Sequence, residues 1–177
     1  TQDALFHVVK SINEHPEADI LYSDEDKIDE NNNRKLPHFK PQYAPHNLLS
    51  RNYFGHLVAV SSKIIEKVGA LRIGFEGSQD YDLWLRIVEQ TSNIVHIPYV
   101  LYHWRMHAES TAGNEEAKNY AFDSGVKALN AALERRNLNA SASLLEGTPG
   151  VYRISYAIDK QDMISIIIPT KDNAEVL

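Results

Sequence analysis

Apolar positions recur at helical spacing, at strand spacing and in one unbroken run, and these three patterns divide the chain of 177 residues. From Ala4 to Asn13, the residues Leu5, Val8, Val9 and Ile12 share one face, which predicts a short amphipathic helix ended by His15 and Pro16. Asp19 to Ser23 reads as a short buried strand that runs into the acidic knot Asp24-Glu25-Asp26, and Asp29 to Arg34 reads as a polar, Asn-rich turn. Pro37, Pro41 and Pro45 exclude a long helix from the next segment, because each fixes φ and restricts the residue before it. Phe54 to Val60 predicts a strand, Ser61 to Val68 a capped helix, and Gly69 to Gly74 the turn that follows.

Ser78 is placed to cap a helix whose core stripe is Tyr81, Trp84, Leu85 and Val88. Asp82 is spaced to pair with Arg86 one turn later on the surface. After Thr91-Ser92-Asn93, two short strands are predicted, Ile94 to His96 and Pro98 to Trp104, interrupted by Pro98. Glu115 to Arg136 is the longest helical pattern, with Ala121, Val126, Leu129 and Leu133 facing inward. Val151 to Tyr156 predicts a short strand. Met163 to Thr170 is a β-branched run of the kind that forms a fully buried parallel strand, pairing either with the preceding part or within another domain. The alternation of helices and strands makes the fold class α/β.

With 43% hydrophobic and 24% charged residues the chain can bury a real core, and one domain is the default. A net charge of −6, with 18 dispersed basic residues, argues against a nucleic-acid partner. The absence of cysteine excludes disulfides and thiolate zinc sites and fits a reducing compartment. No apolar run approaches the ~20 residues of a membrane span, although peripheral association with a membrane-bound partner stays open.

Candidate chemistry concentrates between Gly77 and Ala112. Asp80 falls in the first turn of its predicted helix, where the macrodipole favours the carboxylate. The strand that follows delivers His103, Arg105 and His107 to a loop edge, where imidazole can bind a metal and guanidinium can bind phosphate oxygens. A capping charge and a half-buried packing histidine are the ordinary uses of such positions. Spacing therefore proposes a site without proving one.

The ordered blocks ADILYSDEDKID, HFKPQYAPHNLLSRNYFGHLVAVSS, GFEGSQDYDLWLR, HIPYVLYHWR and STA resemble the family-2 glycosyltransferases of bacterial polysaccharide and O-antigen assembly. More narrowly, they resemble the multi-domain, rhamnosyltransferase-like branch. The segment SIIIPTKDNAEVL is similar to the first strand and nucleotide loop of a second, tandem domain. The resemblance implies a GT-A fold of the α/β class, with residues 1–140 as the C-terminal, acceptor half of a nucleotide-sugar transferase domain. It implies that 141–162 is a linker with short strands and that 163–177 opens the tandem domain. The donor half, with its metal-binding DxD, is then expected before Thr1.

Residue by residue, the resemblance makes Asp80 the general base of an inverting transfer, with Gln79 in place of the family's usual Glu beside it. His103 takes the position of a metal-binding histidine, and Arg105 and His107 those of diphosphate contacts. Gly55, His56 and Gly77, with Gln79, line the place where an acceptor comes in. The implied cofactor is a divalent ion, Mn or Mg. The implied partners are a nucleotide-sugar donor, a glycan or lipid-linked glycan acceptor and the tandem domain of the same chain. The implied location is cytoplasmic, at or near the inner face of the membrane.

Asp24 and Asp26 have the alternation of a metal motif after a strand. Their place in the family pattern, after the first metal motif, favours an acceptor-side or structural role. Two other classes stand beside the transferase. One is a glycoside hydrolase using Asp80 with Asp24 or Asp26, since that chemistry needs two carboxyl groups flanking one bond. The other is a non-catalytic carbohydrate-binding or interaction domain.

Overall fold

The computed structural model describes residues 1–106, 115–158, 163–169 and 171, with residues 115–119 described by their backbone alone. In chain order its elements are α1 (Ala4–Glu14), β1 (Ile20–Ile28), β2 (Arg34–His38), α2 (Pro45–Ser50), β3 (Val58–Val60), α3 (Ser62–Val68), α4 (Gln79–Val88), β4 (Ile94–Arg105), α5 (Glu115–Arg135), β5 (Ala140–Leu144) and β6 (Tyr152–Tyr156). The fold is mixed α/β.

Strand β1 organises the main sheet. It pairs in parallel with β4 along its whole length, from Ile20 opposite Ile94 to Ile28 opposite Arg105. Two strands share its other edge, β3 against Ile20–Tyr22 and β2 against Glu25–Ile28, both antiparallel. Successive side chains of a strand point to opposite faces, so Ile20 and Tyr22 enter one core while Leu21 enters another. The first contains Leu48, Phe54, Leu85, Ile87, Leu129 and Leu133, and the second Ile97, Leu101 and Val8 of α1. Helices thus cover both faces, as a largely buried sheet requires. β5 and β6 form a separate antiparallel pair against α5, tied there by the Ala142 N–H donating to Asn130 Oδ1 at 2.9 Å.

Several elements follow the pattern closely. Ser61 caps α3, its hydroxyl accepting from the Ile64 N–H at 3.3 Å, and Gly69 ends the helix at φ +80°. The β1–β2 turn closes on Asp29, whose Oδ1 accepts from the N–H groups of Asn31 and Asn33.

Others depart from it for identifiable reasons. Pro98 does not divide two strands, because it lies where β4 bulges opposite Ser23 and Asp24 and its missing N–H leaves no ladder bond unmade. The expected strand from Phe54 shortens to β3, since Tyr53 and Phe54 turn into the core instead. The strand expected to end at Ser23 continues to Ile28, so Asp24-Glu25-Asp26 does not follow it but forms the middle of β1. Asp82 is not on the surface: α4 is enclosed from Tyr81 to Ile87, and Asp82 is fully buried between Arg72 and Arg86. α1 rests on the sheet through Ala4, His7 and Val8, with the His7 ring on Tyr99 of β4, which leaves Leu5, Val9 and Ile12 exposed. Met163–Pro169 forms no strand and its isoleucines are exposed, because no described element lies beside it to pair with and none covers its faces. No helix among the described residues is long and apolar enough to cross a membrane.

Candidate functional site

The three acids of β1 each meet a histidine. Asp24 Oδ1 accepts from the Lys40 backbone N–H and from His96 Nε2, both at 2.8 Å. A carboxylate only accepts, so His96 carries a proton on Nε2. Asp26 is held by Arg34 Nε at 2.6 Å from Oδ2 and by His103 Nδ1 on Oδ1. Burial alone would raise the Asp26 pKa, but the hydrogen bonds from His103 and Arg34 outweigh it and hold the carboxyl below its usual range.

Glu25 is the hub of a wider cluster. Its Oε2 accepts from the His56 N–H at 2.8 Å and from the Trp104 indole at 3.3 Å, with Lys40 Nζ 3.6 Å away, while His38 Nδ1 lies 3.5 Å from Oε1. Burial pushes its pKa up, and His38, Lys40 and the His56 amide together bring it below the ordinary value. Gly55 is required here, since its φ is +45° and a Cβ would stand 2.7 Å from Glu25 Oε1. Lys40 is wholly buried and donates to the carbonyls of Phe54 at 2.6 Å and His56 at 2.8 Å. Burial pushes its ammonium down to about 8, against the opposing pull of Glu25 and Asp24.

Beside this cluster opens a cleft of about 410 Å³ lined by Glu25, Asp26, Lys27, Leu36, His38, Arg51 and Trp104. Trp104 meets the His56 ring edge-on, and His56 stacks on Tyr102. A second cleft of about 240 Å³ is lined by Arg51, Asn52, Gly77, Ser78, Tyr81 and residues of α5 and β6. Arg51 lines both.

Asp80 does not itself line the second cleft but is bonded to Asn52, which does, and is half-buried in the first turn of α4. Its Oδ2 accepts from Asn52 Nδ2 at 3.0 Å and its Oδ1 from the Tyr81 N–H at 2.8 Å. The Asn52 amide is oriented by that bond, and its Oδ1, also buried, finds no donor among the described residues. Ser78 occupies the N-cap position but does not cap, because its hydroxyl donates to the Ala121 carbonyl at 2.7 Å. Gly77 holds φ +85°, and a Cβ there would meet Tyr120 and Ala121 within 3 Å. Gln79 lines a neighbouring cleft with Arg72, Gly77 and Tyr120, and its buried Oε1 has no partner among the described residues.

The site residues expected from sequence thus fall into three groups. Gly55 and His56 gather on Glu25, Gly77 and Asp80 gather by Asn52, and Arg105 is set apart, donating to Asn32 Oδ1 at 3.0 Å on the exposed β1–β2 turn. His107 lies outside the described residues. The His103 pairing with Asp26 leaves Nε2 without a partner among the described residues, the arrangement a metal-bound histidine uses. The same pairings fill both oxygens of Asp26 and one of Asp24 with protein donors. Among the described residues no group of three or more His, Asp or Glu is placed to hold a cation. One candidate ligand does not make a metal site, and these residues do not by themselves fit a divalent ion.

Glu25, His38, Lys40, Arg51, Asn52 and Trp104 are missed by reading motifs. The available signal was strand alternation carried on through Asp24-Glu25-Asp26, which turns Glu25 away from its neighbours. Lys40 between Phe39 and Pro41, and Asn52 beside two buried aromatics, are polar residues in apolar company.

No family model matches the chain. It is 42% identical over 177 residues to the uncharacterized protein y4gI of Sinorhizobium fredii, covering 99% of this chain and 20% of that protein. It is 37% identical over 174 residues to the O-antigen biosynthesis protein RfbC of Myxococcus xanthus, covering 98% of this chain and 14% of that protein. The chain therefore spans a fifth or less of the curated relatives it matches.

Proposed function

We propose that this chain is the acceptor-side part of an inverting glycosyltransferase of cell-surface polysaccharide synthesis, with Asp80 as its general base. The observation that carries the reading is the Asp80–Asn52 pair. A carboxylate half-buried in a helix's first turn and held at 3.0 Å by the amide of a residue that lines a cleft has the placement of a base and not of a freely rotating surface acid. The similarity to an O-antigen biosynthesis protein along nearly the whole chain supports the same class of product.

In this reading an acceptor hydroxyl lies against Asp80. Its oxygen forms the new bond to the anomeric carbon of a nucleotide-sugar donor as its proton passes to the carboxylate. The bond to the nucleoside diphosphate breaks from the opposite face, and the leaving group departs with the electron pair. Asn52 fixes the carboxylate so that a lone pair stays aimed at the hydroxyl. In this reading the donor half belongs to the longer protein, while His103, Arg105 and His107 are this chain's contribution to the diphosphate and to the divalent ion the resemblance implies.

The two-carboxylate hydrolase has less support, because the acids it would pair with Asp80, Asp24 and Asp26, are buried and taken up by histidine, arginine and backbone donors. The test is Asp80→Asn in the full-length protein. The expected result is an intact fold and donor binding with a transfer rate reduced ~10²–10⁴-fold. Unchanged turnover removes Asp80 from the mechanism.

A further inference from the structure

The cleft beside Glu25 has chemistry that the proposed base does not use. Trp104 is 45% exposed, yet its indole N–H is already committed to Glu25, so what stays open to solvent is the apolar ring. The bond to Glu25 and the edge-on contact with His56 keep that ring from folding away. Around it stand Glu25, which accepts, Arg51, which only donates, and His38, whose ring nitrogens do either. Fixed polar groups around an aromatic face suit a molecule with one C–H face and a rim of hydroxyls.

A pyranose is such a molecule. Its polarised C–H bonds lie against the negative face of the indole, while neighbouring hydroxyls donate to the carboxylate and accept from the guanidinium. A volume of about 410 Å³ is within the range of small-ligand clefts. A nucleoside diphosphate suits it less, since the carboxylates of Glu25 and Asp26 balance the cations of Lys27 and Arg51 on the same walls and no net positive field selects an anion. Arg51 joins this cleft to the one beside Asp80, so a chain of sugars could run from one to the other.

We propose that the cleft is a saccharide subsite, with Trp104 as the stacking platform and Glu25 with Arg51 as the pair that reads hydroxyls, and that it takes an uncharged sugar unit of the acceptor. The acceptor role rests on the transferase reading; the binding of an uncharged sugar does not.

The chain has two tryptophans, the buried Trp84 and the half-exposed Trp104, so their indole N–H signals separate the cleft from the core. The experiment is an NMR titration of the ¹⁵N-labelled chain with the methyl glycosides of rhamnose, mannose, glucose and galactose, and separately with UDP and dTDP. At least one glycoside is expected to move the Trp104 indole saturably while Trp84 stays in place. Arg51→Ala, an exposed position that leaves the core untouched, and Trp104→Ala, followed through the His56 amide, are each expected to weaken that binding about tenfold or more.

The proposal is overturned if no glycoside moves the signal up to about 100 mM, well above a millimolar Kd. It is equally overturned if only the nucleotides move it, or if Arg51→Ala binds like the unsubstituted chain. Asp80→Asn is expected to leave this binding alone. In the full-length protein Trp104→Ala should raise the acceptor KM, whereas Asp80→Asn should lower kcat. Sugar binding at Trp104 together with full turnover in Asp80→Asn removes the proposed base and leaves the subsite standing.

Discussion

Arg86 reaches back one turn of α4 to Asp82, Nε to Oδ2 at 3.0 Å, with both side chains buried. Arg72 approaches the same carboxylate from the preceding turn, and Arg86 also donates from its terminal nitrogens to the carbonyls of Val68, Gly69 and Ala70. Burial alone would raise the Asp82 pKa, but the two guanidinium groups outweigh it and keep the acid ionised.

Removing the acid strands a buried cation, so Asp82→Ala should cost about 3–5 kcal/mol. Arg72→Ala should cost less, because Arg72 is partly exposed and Arg86 still compensates the acid. Urea unfolding of the two variants gives the comparison, and equal midpoints would show that the buried pair is not a unit.

Gly125 lies inside α5, where alanine normally improves a helix by up to ~1 kcal/mol. Here a Cβ would overlap the Tyr152 hydroxyl. Gly125→Ala should therefore destabilise the chain, and adding Tyr152→Phe should recover part of the loss. A thermal melt in which Gly125→Ala is the more stable protein would contradict the packing of β6 on α5.

Glu25 and Asp26 both have folded pKa values held below their ordinary ones. Each then contributes stability that is fully present above the unfolded carboxylate range and is lost as pH falls through the lower folded value. Lys40 works at the other end. Its folded pKa of about 8 lies below the 10.5 of a free lysine, so between those values the unfolded chain holds the extra proton and stability rises with pH. Unfolding free energies measured across pH should show Asp26→Asn flattening the acid limb and Lys40→Met removing the alkaline rise.

With Asp80 as the proposed base, the Asn52 amide serves to position it. In the full-length protein, Asn52→Ala should slow transfer by up to ~10²-fold, the scale of a misplaced reacting group, and by less than Asp80→Asn does. A kcat equal to that of the unsubstituted enzyme would mean that the amide does not position the base.

Local signals were legible where the chain makes them strong. The Ser61 cap and the Gly69 stop bound α3, the Asn-rich turn closes on Asp29, and the helical periods of α4 and α5 are real elements. What periodicity does not carry is partnership. Leu5, Val9 and Ile12 form a proper stripe, yet how much of it is covered depends on where α1 meets β4. Likewise, nothing local to Asp82 says that Arg72 closes over it, and a sequence reading sends an i, i+4 ion pair to the surface by default. At the site, Asp80 was visible from its place in a first turn, whereas its partner Asn52 is set by tertiary structure.

The parallel pairing of β1 with β4 has a kinetic consequence. Asp24 and His96 are 72 residues apart and Asp26 and His103 are 77 apart, so neither contact can form until a long loop has closed. During synthesis, Asp24 and Asp26 leave the ribosome well before His96 and His103 are made, and these pairs wait until β4 arrives. The two imidazole resonances would therefore act as a clock for sheet closure, appearing in their paired form only when β4 docks on β1.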